Sequence, residues 1–357
     1  MAHVLRDGDG VTPHDVMDTE AAEEACAELA AQGLHVGRCG EPAEAPCRNA
    51  LAPEAPARHL LSAWLRARAA CTHARLMQLL PRRGRIRLRS AGGPNAGKCL
   101  LAPPTQPALA FNDNDWQEGL RWRGGLPQGT NGTRCANVRT GPGTAQGEAC
   151  GEVLDDFGDH AAVCPIGPCV VARHSGVTAQ VGSLYRAAGA ACRCEVPVAQ
   201  LEDAEGPQAV LDLVAWGAAV PDAVIDIAVR HPAAERYAAE AANRDGHCAS
   251  TAEDDKRRNY PPRGGVVVQA FAAETWGRLG LQAEQILRTA GAAAAARARE
   301  RGHPAPRLMR WRAAIDAAIM RGVVRCLRAA REGIGGTALR PDAAWPRRGG
   351  WRPSTEG

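Results

Sequence analysis

Two aspartates lie inside short apolar runs, where a carboxylate is unfavourable unless it has a partner. Asp212 is within Leu211–Trp216 and Asp226 is within Ala223–Val229. A buried carboxylate without compensation is strongly destabilising, so such a group usually binds a cation or hydrogen-bond donors. With a turn at Gly217 between the two strands, the aspartates can approach each other and hold one divalent ion. Two carboxylates on Mg²⁺ are a minimal arrangement for hydrolysing a phosphodiester.

Further charged residues can complete or surround this site. Glu195 is a candidate third carboxylate, and Lys256 is the only lysine after Lys98 in an arginine-rich chain. A lysine ammonium can release a proton where a guanidinium cannot, which favours a chemical role for Lys256. The alternative is that Lys256 lies on a solvated charged helix face. Asp222 follows Pro221 and is equally well explained as a turn residue.

A second group of residues has the spacing of a metal site. Cys135, Cys150, His160 and Cys164 follow the pattern C-x14-C-x9-H-x3-C. Three thiolates and an imidazole form a closed, structural Zn²⁺ site, and a His and a Cys four residues apart share one face of a helical turn. The first pair is the weaker half, because its separation is wide. Scattered free thiols are the alternative, and the competing ligand candidates are Cys169, Cys192 and Cys194.

The sequence around these residues predicts alternating helices and strands. Strands are expected at Leu211–Trp216, Ala223–Val229 and Val266–Phe271, and the first two are apolar on both faces, as in a sheet covered by helices. Helical spacing of apolar residues predicts helices at Thr19–Gln32, His59–Leu80, Asp113–Arg123 and throughout Gly280–Arg331. The rest of Pro81–Pro127 reads as loops, and the chain after Gly333 reads as disordered.

The charge is uneven along a chain whose formal net charge is only +4. Residues 66–89 contain eight arginines and no acidic residue, and residues 288–331 contain eleven arginines against Glu300 and Asp316. Such stretches indicate a polyanion partner, although a solvated arginine-rich surface is the simpler interpretation. Thirteen cysteines without a secretory signal indicate an intracellular, reducing compartment, and we expect no membrane span.

Taken in order, these motifs resemble the C-terminal restriction-like endonuclease region, with its CCHC zinc knuckle, of non-LTR retrotransposon proteins of the dinoflagellate-like type, related to the PD-(D/E)xK nucleases. The resemblance runs from about Pro56 to Arg331. The residues that carry it are Leu79–Pro81, Ser90–Pro94, Leu120–Arg123, Phe157–Ala161, Cys164, Ala172–His174, Glu195, Asp212, Asp226–Val229, His231, Pro232, Lys256, Tyr260 and Glu274–Arg278.

The resemblance implies roles for individual residues. Asp212 and Asp226 would bind Mg²⁺, Lys256 would orient or activate water, Glu195 would support the site, and His174 would contact phosphate or shape it. The usual lysine two residues after the second aspartate is replaced by Ala228, and Lys256 followed by Tyr260 matches the displaced lysine of the retrotransposon branch.

The resemblance also implies a domain order and a setting. We expect an α/β, restriction-endonuclease-like core, a mixed sheet flanked by helices, preceded by a small zinc knuckle. The expected segments are an acidic N-terminal segment 1–55, a helical connector 56–130, the zinc knuckle 131–170, the nuclease core 171–278, arginine-rich helices 279–331 and a tail 332–357. The expected activity is nicking of nuclear DNA to prime reverse transcription, with DNA, retroelement RNA and a separate reverse transcriptase as partners. The alternative is an inactive, zinc-stabilised nucleic-acid-binding remnant.

Overall fold

In this computed structural model the described residues are 69, 72–130, 132–139, 147, 149–166, 168–198, 201, 209–217 and 221–333. The chain divides into two compact units, Met1–Pro81 and Arg82–Gly357. In the first unit, residues 72–79 are helical, which agrees with a helix that ends before Pro81. The predicted segment 1–55, its helix Thr19–Gln32 and the tail after Gly333 lie outside the described residues.

The second unit is built on a four-stranded mixed sheet. Its strands, in spatial order, are β1 (Ala191–Pro197), β2 (Val210–Trp216), β3 (Ala223–Arg230) and β4 (Val268–Glu274). β1 pairs antiparallel with β2, and β2 pairs antiparallel with β3. β3 and β4 are parallel. The predicted strands β2 and β3 are confirmed, β4 begins two residues later than predicted, and β1 was not predicted.

Eight α-helices surround this sheet in the described part of the second unit. They are α1 (Arg82–Ala91), α2 (Asp113–Gly124), α3 (Asp159–Val163), α4 (Cys169–Ala187), α5 (Glu235–Ala241), α6 (His247–Asn259), α7 (Leu281–Glu300) and α8 (Leu308–Glu332). The prediction of α2 is confirmed. The helical tail is confirmed as two helices, separated by a turn that contains Gly302 at φ +70° and two prolines. The loop prediction for 82–91 was wrong, because this arginine-rich segment forms α1.

Helices cover both faces of the sheet. On one face, α4, α7 and α8 pack against Leu213, Ile225 and Phe271 in the largest apolar cluster. On the other face, α6 contacts β3 and β4 through alanines, with Ala249 and Ala252 against Ala228 and Ala272. Small side chains at this interface let the helix backbone lie close to the strands. α8 is buried along most of its length, so it is a core helix rather than an exposed basic one.

The predicted connector, zinc region and nuclease core share one apolar cluster. It includes Trp122 from α2, Cys135 and Cys164 from the zinc region, Trp276 after β4 and Leu327 from α8. The segments that the sequence divides at residues 130 and 170 therefore fold around a common interior. Among the described residues, no helix has the length and apolar character needed to cross a membrane.

Candidate functional site

Strands β2 and β3 separate where the two aspartates lie. Their register pairs Ala215 with Ala223 and ends at Leu213 with Ile225, so the next opposed positions are Asp212 and Asp226. There the backbone N–H of Ile227 donates to Asp212 Oδ2 at 2.6 Å. The Asp212 side chain thus takes the place of a backbone carbonyl of β2 as the hydrogen-bond acceptor. This bond fixes the Asp212 carboxylate in the fork between the strands.

Asp226 is the buried member of the pair, with 4% of its surface exposed. Its Oδ2 lies 2.6 Å from Lys256 Nζ, which reaches it from α6. The contact is an ion pair, and this buried oxygen lacks a well-directed hydrogen bond from any described residue. The ammonium also lies 5.9 Å from the centroid of the Tyr260 ring, in cation–π range. The alanine contacts of α6 with the sheet place Lys256 here, so the solvated-face interpretation of Lys256 was wrong.

His174 links α4 to the same fork. Its Nε2 lies 3.0 Å from Asp212 Oδ2 and 3.1 Å from the carbonyl oxygen of Ile227. A protonated Nε2 can donate to either oxygen, so the imidazole holds Asp212 beside β3. The structure therefore brings together four of the predicted site residues, Asp212, Asp226, Lys256 and His174.

The two carboxylates have opposite electrostatic environments. Burial raises the pKa of Asp226 to about 7, and the neighbouring Asp212 adds to the effect although Lys256 opposes it. Burial alone would also raise the pKa of Asp212, but hydrogen bonds from His174, Asp226 and the Ile227 backbone lower it to about 2. The surroundings therefore favour the ionised form of Asp212 and oppose ionisation of Asp226. A bound cation would offset the repulsion between the two carboxylates and favour the ionised form of Asp226.

Glu195 lies at the edge of this arrangement. The β1–β2 register aligns Glu195 with Asp212, so the strands place Glu195, Asp212 and Asp226 in a row. Glu195 is exposed, and its φ of +52° is the only positive value of a non-glycine residue in the described chain. Such a backbone conformation is strained for an L-residue and is often found at functional sites. The strain is consistent with the predicted supporting role of Glu195.

Asp222 has a different function from the other aspartates. It is exposed, and its Oδ1 accepts a hydrogen bond from the Gly217 backbone N–H at 3.1 Å. This bond closes the turn between β2 and β3. The turn interpretation of Asp222 is confirmed.

The donor set at the fork fits a hard divalent cation. It offers two neighbouring carboxylates, and the buried oxygen of Asp226 is paired with the Lys256 ammonium. Mg²⁺ favours one or two protein carboxylates and keeps several water ligands. Asp212 and Asp226 are the residues that could hold such an ion.

The four Cys and His residues form a compact cluster that could hold a metal ion such as zinc. One ligand atom from each of Cys135, Cys150, His160 and Cys164 lies within 4.8 Å of the others. Cys135 Sγ and Cys164 Sγ are 3.8 Å apart, and Cys150 Sγ is 3.5 Å from His160 Nε2. A tetrahedral ion with Zn–S bonds of about 2.3 Å and a Zn–N bond of about 2.0–2.1 Å needs edges of about 3.8 Å and about 3.5 Å. The side chains thus already have the spacing of a tetrahedral zinc site.

Strand pairing explains how the wide first pair of ligands meets. Cys135 N donates to Glu152 O at 2.8 Å and Cys150 N donates to Asn137 O at 2.8 Å. The two cysteines therefore lie on paired segments of a short antiparallel ribbon, whatever the length of the chain between them. Burial raises the pKa of the Cys135 thiol to about 12. A divalent ion would be required to keep this thiol ionised at neutral pH.

Asp155 orients the second pair of ligands. Its carboxylate accepts backbone hydrogen bonds from Phe157 at 2.9 Å, Asp159 at 3.0 Å and His160 at 2.8 Å. Two of these N–H groups, those of Asp159 and His160, are in the first turn of α3, and Cys164 directly follows the helix. The sequence analysis gave Asp155 no role. An Asp just before a glycine turn and a short helix was the signal for a helix cap.

The competing thiols do not join the cluster. Cys169 packs with Cys326 between α4 and α8. Cys192 Sγ lies 3.7 Å from the Gly182 carbonyl, and Cys194 packs against the core of the sheet. The described residues therefore favour the predicted ligand set over its competitors.

Several motifs of the resemblance meet in a buried network beside the zinc cluster. The His231 ring contacts Trp122 and Trp276 at centroid distances of 5.6 Å and 4.9 Å, and the two tryptophan rings stack on each other at 5.1 Å. His231 Nε2 is 3.1 Å from Asp159 Oδ1, and its Nδ1 is 2.7 Å from Thr275 Oγ1. Arg83 Nη2 donates to Asp159 Oδ1 at 2.6 Å. These residues join α1, the zinc region and the ends of β3 and β4, so their role is structural.

Comparisons with protein-family models, curated proteins and solved structures found no match to this chain.

Proposed function

We propose that this chain is a metal-dependent DNA endonuclease that hydrolyses a phosphodiester bond at the fork between β2 and β3. The observation that carries the proposal is the convergence of Asp212, Asp226 and Lys256 at the point where two central strands separate. The stability of the fold does not require this combination of two neighbouring carboxylates and a buried ammonium. Replacing it with apolar residues would remove unfavourable burial of charge.

In this proposal Asp212 and Asp226 hold Mg²⁺, which when bound polarises the phosphoryl oxygen and makes a water ligand more acidic. His174 and the Ile227 N–H keep Asp212 in place. Lys256 exchanges part of its contact with Asp226 for the attacking water, which it orients. Glu195 supplies a further acceptor at the exposed edge of the sheet.

We further propose that Cys135, Cys150, His160 and Cys164 bind one structural Zn²⁺. All four tetrahedral positions are taken by protein ligands, so the ion would stabilise the fold without taking part in hydrolysis. The spacing of the ligand atoms supports this proposal.

The proposed substrate is nuclear DNA, nicked to prime reverse transcription by a separate retroelement polymerase on retroelement RNA. The order of the motifs supports this setting, because the same residues carry the resemblance to non-LTR retrotransposon endonucleases. The proposed core is therefore restriction-endonuclease-like, with the zinc module preceding it in the chain.

Plasmid nicking tests the proposed activity. Purified full-length protein with Mg²⁺ should convert supercoiled plasmid to the open circle, and EDTA should stop it. Asp226→Asn should reduce the nicking rate at least about a hundredfold, since loss of one site group typically has effects of this size. Lys256→Met should slow nicking less than Asp226→Asn does.

Asp222→Asn is the matched control, because it changes an aspartate of the same β-hairpin outside the fork. It should nick at the wild-type rate. Wild-type activity in Asp226→Asn would contradict the catalytic assignment. Plasmid binding without nicking by the wild-type protein would favour the inactive, nucleic-acid-binding remnant.

Metal analysis tests the zinc proposal separately. The wild-type chain should contain one zinc, and His160→Ala and Cys164→Ser should each lose most of it. Cys192→Ser is the control, since this thiol lies outside the cluster. Unchanged zinc content in both ligand variants would contradict the assignment.

A further inference from the structure

Arg173 is a buried guanidinium whose charge the protein leaves without a carboxylate. It is 2% exposed, and its Nη1 donates to the Ala162 carbonyl at 2.8 Å, while its Nε has no hydrogen-bond partner. No described carboxylate forms an ion pair with it. The buried arginine of α8, Arg312, is bound instead by both oxygens of Glu284. A buried charge without compensation is strongly unfavourable, so Arg173 requires an explanation.

The fold makes specific room for this side chain. A Cβ at Gly322 of α8 would come within 2.4 Å of Arg173 Cγ and 2.9 Å of its Cα. Only glycine at position 322 therefore lets the two helices enclose the arginine stem. The nearby thiols of Cys169 and Cys326 do not supply a negative charge at neutral pH, because burial raises the pKa of each.

The guanidinium lies against the helical turn that carries two zinc-ligand candidates. Its acceptor Ala162 is in α3, between His160 and Cys164. Three thiolates, one neutral imidazole and one Zn²⁺ have a net charge of −1. The nearest acidic residue of this turn, Asp159, is already bound by Arg83 and His231. With Zn²⁺ bound, the thiolate centre on this turn would supply the negative charge that no described carboxylate gives Arg173.

We propose that Arg173 is the buried counterion of an anionic Cys₃His zinc centre. Its charge would favour a centre with three thiolates over a centre with two thiolates, which has no net charge. The inference rests on the proposed zinc site and is independent of nuclease activity. Groups around the ligands typically change metal affinity by about ten- to a hundredfold.

A charge-compensation cycle tests this role. Arg173→Met should weaken zinc binding by about ten- to a hundredfold, measured by competition with a chromophoric chelator at fixed pH. Arg173→Lys keeps the charge and should weaken it less than Arg173→Met. In a Cys150→His background the centre has two thiolates and no net charge, so Arg173→Met should have little further effect there. Cobalt substitution, followed by the thiolate charge-transfer absorption, checks the number of thiolates in each protein.

The outcomes separate this role from packing and from the zinc proposal itself. The counterion role would be overturned in favour of packing by either of two results. Arg173→Met would weaken zinc binding equally in both backgrounds, or Arg173→Met and Arg173→Lys would weaken it equally. Zinc binding by the wild type with no change in Arg173→Met would overturn this inference alone. Absence of zinc from the wild type and the Cys164→Ser variant alike would overturn both proposals. If Arg173→Met does not fold, Arg173→Gln, which removes the charge and keeps a donor for the Ala162 carbonyl, provides the same comparison.

Discussion

At the scale of single residues, position in the fold gives chemically identical side chains different functions. Asp222 is exposed and closes a turn, whereas Asp226, four residues later, is buried beside Lys256. Asp212 replaces a missing backbone acceptor, and Asp155 caps a helix. Of these four aspartates, Asp212 and Asp226 are the two that lie side by side where the strands separate. That arrangement distinguishes a candidate metal site from structural use of an aspartate.

The raised pKa of Asp226 predicts how the stability of the metal-free protein depends on pH. The unfolded carboxyl has a pKa of about 3.9, and burial raises the folded value to about 7. A raised folded pKa gives stability that is present at low pH and is lost as the pH rises from about 4 through about 7. At 1.36 kcal/mol per pKa unit, the loss approaches about 4 kcal/mol at most. The lowered pKa of Asp212 acts below this window.

Asp226→Asn should remove this loss. Its unfolding free energy relative to wild type should increase between pH 4 and pH 8 in EDTA, as followed by urea denaturation. Added Mg²⁺ should reduce the advantage, since only the wild-type pair binds the ion well. Asp222→Asn should show no such trend. A difference between Asp226→Asn and wild type that stays constant with pH would argue against burial of an ionised Asp226.

At the scale of elements, two short structures position the four residues of the Cys/His cluster. The ribbon around Cys135 and Cys150 supplies the first pair, and α3 supplies the second. α3 has only five residues, so its own hydrogen bonds cannot stabilise it. Its first turn depends on the Asp155 carboxylate. The helix that carries His160 is therefore maintained by capping rather than by helix propensity.

Asp155→Ala should therefore weaken both the fold and the zinc site. Removal of a charged acceptor from three backbone N–H groups should lower the unfolding free energy by about 2 kcal/mol. It should also weaken zinc binding, because His160 loses the bond that fixes its backbone. Chemical denaturation and chelator competition measure the two effects. Asp156→Ala is the matched control, since Asp156 contributes a backbone carbonyl to Gln128, and equal effects of both variants would refute the capping role.

Elements also differ in how well the sequence predicts them. β2 and β3 were predictable because each is a short apolar run bounded by turn residues. α4 was not, because it is covered by β-strands and by α8 and has no single apolar face. α1 has arginines among its apolar residues, and it is held by their bonds to carbonyls such as Ala242 O at 3.0 Å. Such stabilisation comes from residues distant in the chain.

The candidate sites were predictable in composition but not in geometry. The burial of Asp212 and Asp226 in apolar runs pointed to a shared cation, and the rarity of lysine pointed to Lys256. The strand fork, the ribbon that joins Cys135 to Cys150 and the buried charge of Arg173 depend on long-range packing. No local spacing contains that information, so these features required the three-dimensional arrangement.

At the scale of the whole molecule, the arginine content overstates the positive charge available to a partner. Within α8, Arg312 is bound by Glu284, and Arg328 and Arg331 are bound by Glu118 of α2. Arg321 donates to the Ala108 carbonyl at 2.9 Å. These arginines join α8 to its neighbours. Fewer arginines of α8 are therefore free to contact phosphates than the sequence of residues 288–331 suggests.

The exposed arginines around the turn between α7 and α8 remain available. They are Arg299, Arg301, Arg307 and Arg310. If these four contact phosphates, their combined change to glutamine should reduce the dependence of log affinity on log salt by about 3.6, at about 0.9 per contact. DNA binding measured by fluorescence anisotropy between 50 and 200 mM salt gives this slope. The variant should keep the wild-type unfolding free energy, because surface substitutions rarely change it.

Arg312→Gln is the control, and it should lower the stability without changing the salt dependence of DNA binding. It leaves Glu284 buried without its partner, so it should lower the unfolding free energy by about 3 kcal/mol or more. At temperatures where the variant is folded, its salt dependence of DNA binding should equal that of wild type, because this guanidinium is buried. A salt dependence unchanged by the four surface substitutions would exclude the turn as a phosphate contact. A reduced dependence in Arg312→Gln would show instead that the arginines of α8 reach DNA through a rearranged helix.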